Sequence, residues 1–182
     1  MELKVPSEVK IDGYIPTAED LAFTGNCSSL FMNNRFKWAV EHYTSLLSFS
    51  NIENASSCFR YFELGTDLTN LIFYMSNKGY DNTITSMFGY SDLPHLPHIV
   101  GRVDNCSSLF QGCKIKLIPD NFFDDFIFKT RYTVDCGSIF LDCRNLIKVP
   151  SLKAFKQLDS QTKPPYSYQS LYYYLFNGCS SL

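Results

Sequence analysis

The sequence predicts an α/β repeat solenoid, an irregular stack of short strands and short helical turns. The first observation is a motif that is clearest at residues 105–117, NCSSLFQGCKIKL. The second is its spacing, because copies aligned on the central phenylalanine recur every 22 to 36 residues, which is typical of solenoids. The aligned phenylalanines, called the anchors below, are Phe31, Phe59, Phe88, Phe110, Phe140 and Phe176.

Composition limits the classes of function. The chain has 182 residues, of which 45% are hydrophobic and 19% charged, so we expect one globular domain with a substantial core. A net charge of −2 gives no electrostatic reason to expect nucleic acid or an anionic membrane as a partner. No apolar run approaches the roughly 20 residues that a membrane-spanning helix needs. The start, MELKVPSEVKIDGYIP, lacks the basic and apolar regions of a secretory signal, which predicts synthesis in a cytoplasm without export by that route.

The chain divides into two parts. Residues 1–20 contain no copy of the motif and are punctuated by Pro6, Gly13 and Pro16, so we expect an N-terminal arm or cap. Residues 21–182 form the predicted solenoid of about six irregular units. Because the last copy has no strand after it, we expect an uncapped C-terminal end, covered either by further chain or by contact with another protein.

Two elements are expected between the first and third anchors. Residues 35–49 carry apolar side chains at helical spacing, which predicts an amphipathic helix packed on the solenoid. This stripe comprises Phe36, Ala39, Val40, Tyr43, Leu46 and Leu47. Residues 71–75, LIFYM, are rich in β-branched and aromatic side chains and predict a buried strand.

The fourth and fifth units are the clearest. After each polar residue and cysteine, two small residues are expected to open a short helical turn. The apolar residues that follow are expected to fill short strands ending at proline, with Ile115 and Leu117 in one unit. In the other they are Leu146, Ile147 and Val149. Between the two units, residues 124–135 alternate, which predicts an inserted strand with Phe126, Phe128, Tyr132 and Val134 on one face and Lys129 and Arg131 on the other.

Seven cysteines are present, and an odd number cannot all pair within one chain. Six of them fall four residues before or three residues after an anchor: Cys27, Cys106, Cys113, Cys136, Cys143 and Cys179. Because these positions are set by the repeat, we expect the cysteines to be small buried side chains that stack in ladders along the core. We also expect them to be reduced thiols rather than disulfides. Their spacing does not match the short pairs of structural zinc sites.

The sequence offers no catalytic or metal-binding pattern. His95 and His98 have a metal-like spacing only on a helix, and Pro94 and Pro97 argue against one. Nucleophile, phosphate-loop and metalloprotease motifs are absent from the sequence, and Asp124–Asp125 is an isolated acidic pair. We therefore expect no metal, no cofactor and no enzymatic activity.

A tyrosine-rich stretch near the C-terminus is the candidate partner-binding site. Aromatic rings with polar tips suit partly hydrated protein interfaces. The candidate residues are Tyr166, Tyr168, Tyr172 and Tyr173. The alternative is that this stretch fills the final core layer through Leu171, Tyr174, Leu175 and Phe176.

The repeat resembles the BspA-type leucine-rich repeats of bacterial surface proteins and related repeats of phage proteins. The residues that carry the resemblance in the fourth unit are Cys106, Leu109, Phe110, Gly112, Cys113, Leu117, Ile118 and Pro119. Their counterparts in the fifth unit are Cys136, Ile139, Phe140, Cys143, Leu146, Val149 and Pro150. The resemblance implies an irregular leucine-rich-repeat-like stack that binds or scaffolds other proteins. It supplies no catalytic residues.

Three hypotheses of function follow from the resemblance. The first is a phage virion component, in a tail or capsid, that contacts other virion proteins or a host surface receptor and is located in the virion or in the cytoplasm of the producing cell. The second is a fragment of a bacterial cell-surface adhesin, which would need an export signal. The third is an intracellular protein-interaction solenoid. All three are non-enzymatic and involve a protein partner.

Overall fold

The backbone forms a parallel-strand β-solenoid. The computed structural model describes residues 15–63, 68–78, 82–128, 135–156 and 173–182. Five strands pair in chain order in one parallel sheet. They are β1 (Ala22–Asn26), β2 (Ser48–Asn54), β3 (Ile72–Met75), β4 (His98–Arg102) and β5 (Phe126–Ile127). Among the described residues, helices are limited to α1 (Lys37–Tyr43) and two single 3-10 turns, Met32–Asn34 and Lys153–Phe155. The solenoid is therefore as predicted, but the stack is built mainly from strands and turns rather than from strands and helices.

Opposite the strands, each unit contributes a turn segment, defined here as the nine residues from five before its anchor to three after it. Alternate N–H groups of one segment donate to carbonyl oxygens of the next. In the fourth segment, where these bonds measure 2.7 to 2.9 Å, the donors belong to Cys106, Ser108, Phe110 and Gly112. The intervening N–H groups close turns within the segment, as Gln111 does with the Ser108 oxygen at 2.9 Å. The backbone of the fourth turn segment is thus hydrogen-bonded without forming a helix or a strand.

The expected helical turns at these places were wrong. In all six described segments, the residues two before and two after the anchor have a positive φ, between 53° and 77°. A right-handed helix has no place for such residues. The alternation turns every second N–H toward the neighbouring unit, and the hydrogen bonds gained there replace those that a helix would make.

A polar side chain opens each of the first five turn segments. Asn26 Oδ1 accepts a hydrogen bond from the Ser28 N–H at 2.9 Å, and Asp135 Oδ1 accepts one from the Gly137 N–H at 2.8 Å. The same place is held by Asn54, Thr83 and Asn105 in the other units. Asn, Asp and Thr favour such local bonds to the backbone two residues on, which fixes where the strand ends and the turn segment begins.

The anchor phenylalanines form one continuous row through the core. Consecutive rings are stacked, with centroids 5.1 to 6.0 Å apart and interplanar angles of 2° to 19°. A second, shorter row on the strands joins Phe23 to Phe49 at 5.2 Å and Phe49 to Phe73 at 4.0 Å. The alignment of the units on phenylalanine is therefore confirmed.

The helix predicted at residues 35–49 is only partly present. Helix α1 covers its centre, and Val40 and Tyr43 face the core as expected. Phe36 instead precedes the helix with a left-handed φ of 49° and is exposed, while Phe49 lies in β2. The stacking of Phe49 between Phe23 and Phe73 outweighs the helical spacing of the sequence, because burial against neighbouring strands is a tertiary gain that local pattern does not contain.

The strands expected before the prolines of the fourth and fifth units were also wrong. Neither segment is a strand, and Leu117 and Ile147 are 54% and 57% exposed. Ile115 and Ile118 are buried instead, three residues apart, and a three-residue spacing cannot lie on one face of a strand. Val149 is exposed as well.

The inserted strand is only partly described. Phe126 and Phe128 face the core as predicted, and the strand itself is limited to Phe126–Ile127. Lys129, Arg131, Tyr132 and Val134 lie outside the described residues.

Candidate binding surfaces

The predicted tyrosine site is described in one residue of four. Tyr166, Tyr168 and Tyr172 lie outside the described residues. Tyr173 is exposed, and its ring lies against Gly137, where an added Cβ would come within 2.4 Å of the ring. Its backbone oxygen accepts a hydrogen bond from the Ser138 N–H at 2.8 Å. Tyr173 is therefore part of the regular stack, with one edge of its side chain open to solvent.

The alternative prediction, that the C-terminal stretch fills the final core layer, is partly confirmed. Phe176 stacks on Phe140 at 5.3 Å, and Leu175 is packed against the core, whereas Tyr174 is 66% exposed. Leu171 lies outside the described residues. The sixth turn segment thus adds two apolar side chains to the core and presents two tyrosines to solvent.

The outer face of the sheet changes character along the solenoid. On β1 and β2 it carries small or polar side chains, Thr24 beside Ser50 and Ala22 beside Ser48. On β3 to β5 it carries larger apolar side chains, of which Tyr74 is 51% and Ile127 45% exposed. We call this region the apolar sheet face; its residues are Ile72, Tyr74, Val100 and Ile127.

Strand register joins the apolar sheet face at Tyr74 and Val100 and places Ile127 beside Arg102 in the pairing of β4 with β5. Tyr74 lies directly beside Val100, and Ile72 beside His98, in the parallel pairing of β3 with β4. The sequence interpretation treated residues 71–75 as wholly buried and missed this surface. Burial alternates within IFYM, with Phe73 and Met75 buried, but all four side chains are apolar or aromatic, so the residue types carry no signal of this face.

A second surface feature lies on the turn segments. The rings of Tyr61 and Tyr90 stack with centroids 5.1 Å apart. The Arg60 guanidinium carbon lies 5.1 Å from the Tyr61 centroid and 5.6 Å from that of Tyr90, within the range of cation–π attraction. Both tyrosines are exposed and Arg60 is half-buried. The Tyr90 ring in turn covers Gly112, where an added Cβ would come within 2.5 Å of it. We call Arg60, Tyr61 and Tyr90 the Arg–Tyr cluster.

The cysteines form the two predicted columns in the core. After the anchors, Cys143 Sγ lies 2.8 Å from the Phe110 oxygen and Cys179 Sγ 2.9 Å from the Phe140 oxygen. Before the anchors, Cys106 and Cys136 lie with their sulfur atoms 3.3 Å apart. All seven cysteines are free thiols in the structure.

The environment of these thiols disfavours nucleophilic chemistry. Burial raises the pKa of Cys27 to about 11 and raises the pKa of Cys58 and of Cys143 well above the usual range. The hydrogen bond to Cys136, followed by burial, raises the pKa of Cys106 in the same direction. Because the thiolate is the reactive form of cysteine, these side chains act as small apolar core residues.

Within the described residues, no three His, Cys, Asp or Glu side chains lie close enough to hold a metal ion. His95 and His98, the pair with metal-like spacing, are both exposed. None of the described helices has the length and apolar character needed to cross a membrane.

The chain is therefore a parallel β-solenoid whose repeat is centred on a phenylalanine. It carries two exposed surface features, the apolar sheet face and the Arg–Tyr cluster. Comparison with protein-family models, curated proteins and solved structures returned no significant match.

Proposed function

We propose that this chain is a non-enzymatic structural and binding protein, in which the solenoid is a rigid scaffold for protein–protein contacts. The observation that carries the proposal is the apolar sheet face. Tyr74 and Ile127 expose large apolar side chains on an ordered sheet, next to a polar half formed by β1 and β2. A preformed apolar surface with a polar surround is the usual anatomy of a protein interface.

Rigidity supports the same proposal. The turn segments are joined to their neighbours by regular backbone hydrogen bonds, and the anchors by ring stacking. A surface held in place before binding loses little conformational entropy when a partner docks, so more of the contact energy appears as affinity.

The proposed setting of these contacts is a phage tail or capsid. The support is the resemblance of the fourth and fifth units to BspA-type and phage leucine-rich repeats, which implies one short strand per unit and a helical turn or loop on the other side. Mass spectrometry of purified particles tests this setting. Detection in stoichiometric amounts supports it, whereas recovery only from the bacterial surface or only from soluble lysate contradicts it.

The contact surface itself is tested by paired variants. Tyr74→Ser with Ile127→Ser removes the apolar side chains, and Thr24→Ala with Ser50→Ala is the matched control on the polar half. Proteins captured by the immobilised chain are quantified by mass spectrometry, and a captured partner is then purified and titrated against each variant by calorimetry. Burying one such side chain contributes about 1.5–3 kcal/mol, and a loss of about 1.4 kcal/mol weakens binding tenfold. We therefore expect at least tenfold weaker binding for the sheet-face variant. Equal affinities for both variants would contradict the assignment.

A further inference from the structure

We propose that the Arg–Tyr cluster is a binding site for a carboxylate group presented by an acidic segment of another protein. The cluster lies on the turn segments rather than on the strands, so it is a site separate from the apolar sheet face. Three features carry the inference: the unpaired state of the Arg60 side chain, the backbone conformation of the two tyrosines and the charges around them.

Within the part of the chain that the structure describes, the Arg60 side chain has no hydrogen-bonding partner. Its Nε is buried and donates to no acceptor there. Among the same residues its guanidinium forms no salt bridge, whereas Arg102 reaches Asp104 at 2.8 Å and Lys148 reaches Asp120 at 2.6 Å. The two tyrosine rings lie against the guanidinium and orient this planar group. A buried donor without an acceptor is rare in proteins, and it marks Arg60 as a cation held by aromatic rings rather than by hydrogen bonds.

The two tyrosines occupy an unfavourable backbone position. Tyr61 and Tyr90 have φ values of 54° and 56°, in the left-handed region that bulky side chains rarely adopt. The equivalent position in the other four described segments is held by glycine or by short polar residues that tolerate this conformation, namely Asn33, Gly112, Asp142 and Gly178. The fold therefore requires the conformation but not the tyrosine. Strained residues of this kind concentrate at functional sites.

The surrounding charges leave the site open to an anion. The nearby carboxylates of Glu63 and Asp92 are both engaged by Lys114, at 3.3 and 3.5 Å. They are exposed and do not reach Arg60. Arg60 therefore offers a cation whose charge is not cancelled by any of the described residues.

A protein carboxylate fits this site better than a nucleic acid does. A planar carboxylate matches the two-pronged face of a guanidinium, and arginine and tyrosine are enriched where binding energy concentrates in protein interfaces. A polyanionic strand would need several cations in a row. The Arg–Tyr cluster contains one cation, Arg60, and the chain carries a net charge of −2.

The test is a titration followed by NMR. The probe is a tetraglutamate peptide, acetylated and amidated so that only side-chain carboxylates are present, and the matched control is tetraglutamine. The reporter is the Nε–Hε signal of Arg60, identified by its absence in Arg60→Lys. We expect tetraglutamate to shift this signal and tetraglutamine to leave it unchanged. No shift with tetraglutamate, or equal shifts with both peptides, would overturn the proposal.

Variants distinguish specific binding at the Arg–Tyr cluster from a general effect of positive charge. Arg60→Lys keeps the charge but loses the planar fork, and we expect about tenfold weaker binding, the worth of one charge-assisted hydrogen bond. Tyr61→Asn introduces the residue that the first segment uses at that position, so it should weaken binding without lowering thermal stability. Arg144→Gln removes an exposed charge elsewhere and should change nothing. Equal losses in Arg144→Gln and Arg60→Lys, or tighter binding of oligothymidylate than of tetraglutamate, would refute a carboxylate site. Neither result bears on the proposed protein binding by the apolar sheet face.

Discussion

The row of anchor rings makes a quantitative prediction about where stability resides. Phe110 is fully buried and lies between Phe88 at 5.4 Å and Phe140 at 5.8 Å, with Phe122 against its edge at 5.3 Å. Replacing it by alanine removes a whole ring from a packed core, which costs about 3–5 kcal/mol. Phe176 is half-buried and has one stacked neighbour, Phe140, so its loss should cost about 1–2 kcal/mol. Phe110→Leu keeps most of the apolar volume and should lose only the ring-to-ring preference, about 1 kcal/mol.

Urea unfolding followed by far-ultraviolet circular dichroism measures these differences. The fluorescence of Trp38, the chain's single tryptophan, gives a second probe within helix α1. We expect the order of destabilisation Phe110→Ala, then Phe176→Ala, then Phe110→Leu, and a fall in melting temperature of about 10 °C for the first. If Phe110→Ala were no more destabilising than Phe176→Ala, the continuous row would not be the core of the fold.

Two further predictions concern the turn segments. Asn105 Oδ1 accepts bonds from Thr85 Oγ1, Ser107 N and Ser107 Oγ at 2.9 to 3.0 Å, so Asn105→Ala should cost about 1–3 kcal/mol in urea unfolding. Asn26→Ala removes one exposed bond and should cost less than about 1 kcal/mol. Equal costs would argue against a stabilising role for the half-buried Asn105 network. Gly25 and Gly112 share a left-handed φ, but only an added Cβ at Gly112 would collide with a neighbour, the Tyr90 ring. Gly25→Ala should therefore cost about 1–2 kcal/mol and Gly112→Ala more, and Gly112→Ala should also weaken tetraglutamate binding by displacing that ring; unchanged binding would show that the ring position does not matter.

The conformation of the turn segments shows why sequence pattern was insufficient there. The inward-facing residues of the fourth segment are Cys106, Leu109, Phe110 and Cys113, a spacing that also describes one face of a helix. The sequence pattern shows which side chains face inward, and both a helix and the alternating backbone of the turn segments satisfy it. Hydrogen bonds from one segment to the next, as from Phe110 to Ile139 at 2.8 Å, favour the alternating backbone, and a single unit has no such neighbour.

The same reasoning explains the candidate surfaces. Tyrosines were recognised in the sequence by their density near the C-terminus, and only Tyr173 of the four candidate residues is described. The Arg–Tyr cluster was missed because Arg60 and Tyr90 are distant in sequence and meet only when the second and third segments stack. No spacing rule within one unit could have joined them.

The sequence by itself determined the repeat register, because a buried ring and its flanking cysteines must recur wherever one unit stacks on the next. It also determined the polar residue that opens each of the first five turn segments, since Asn, Asp and Thr act on their own backbone. Only the tertiary structure decided that the units are joined by strands and left-handed turns rather than helices, and that Ile72, Tyr74, Val100 and Ile127 face solvent together. Both depend on hydrogen bonds and register between neighbouring units, and these exist only after the chain has stacked.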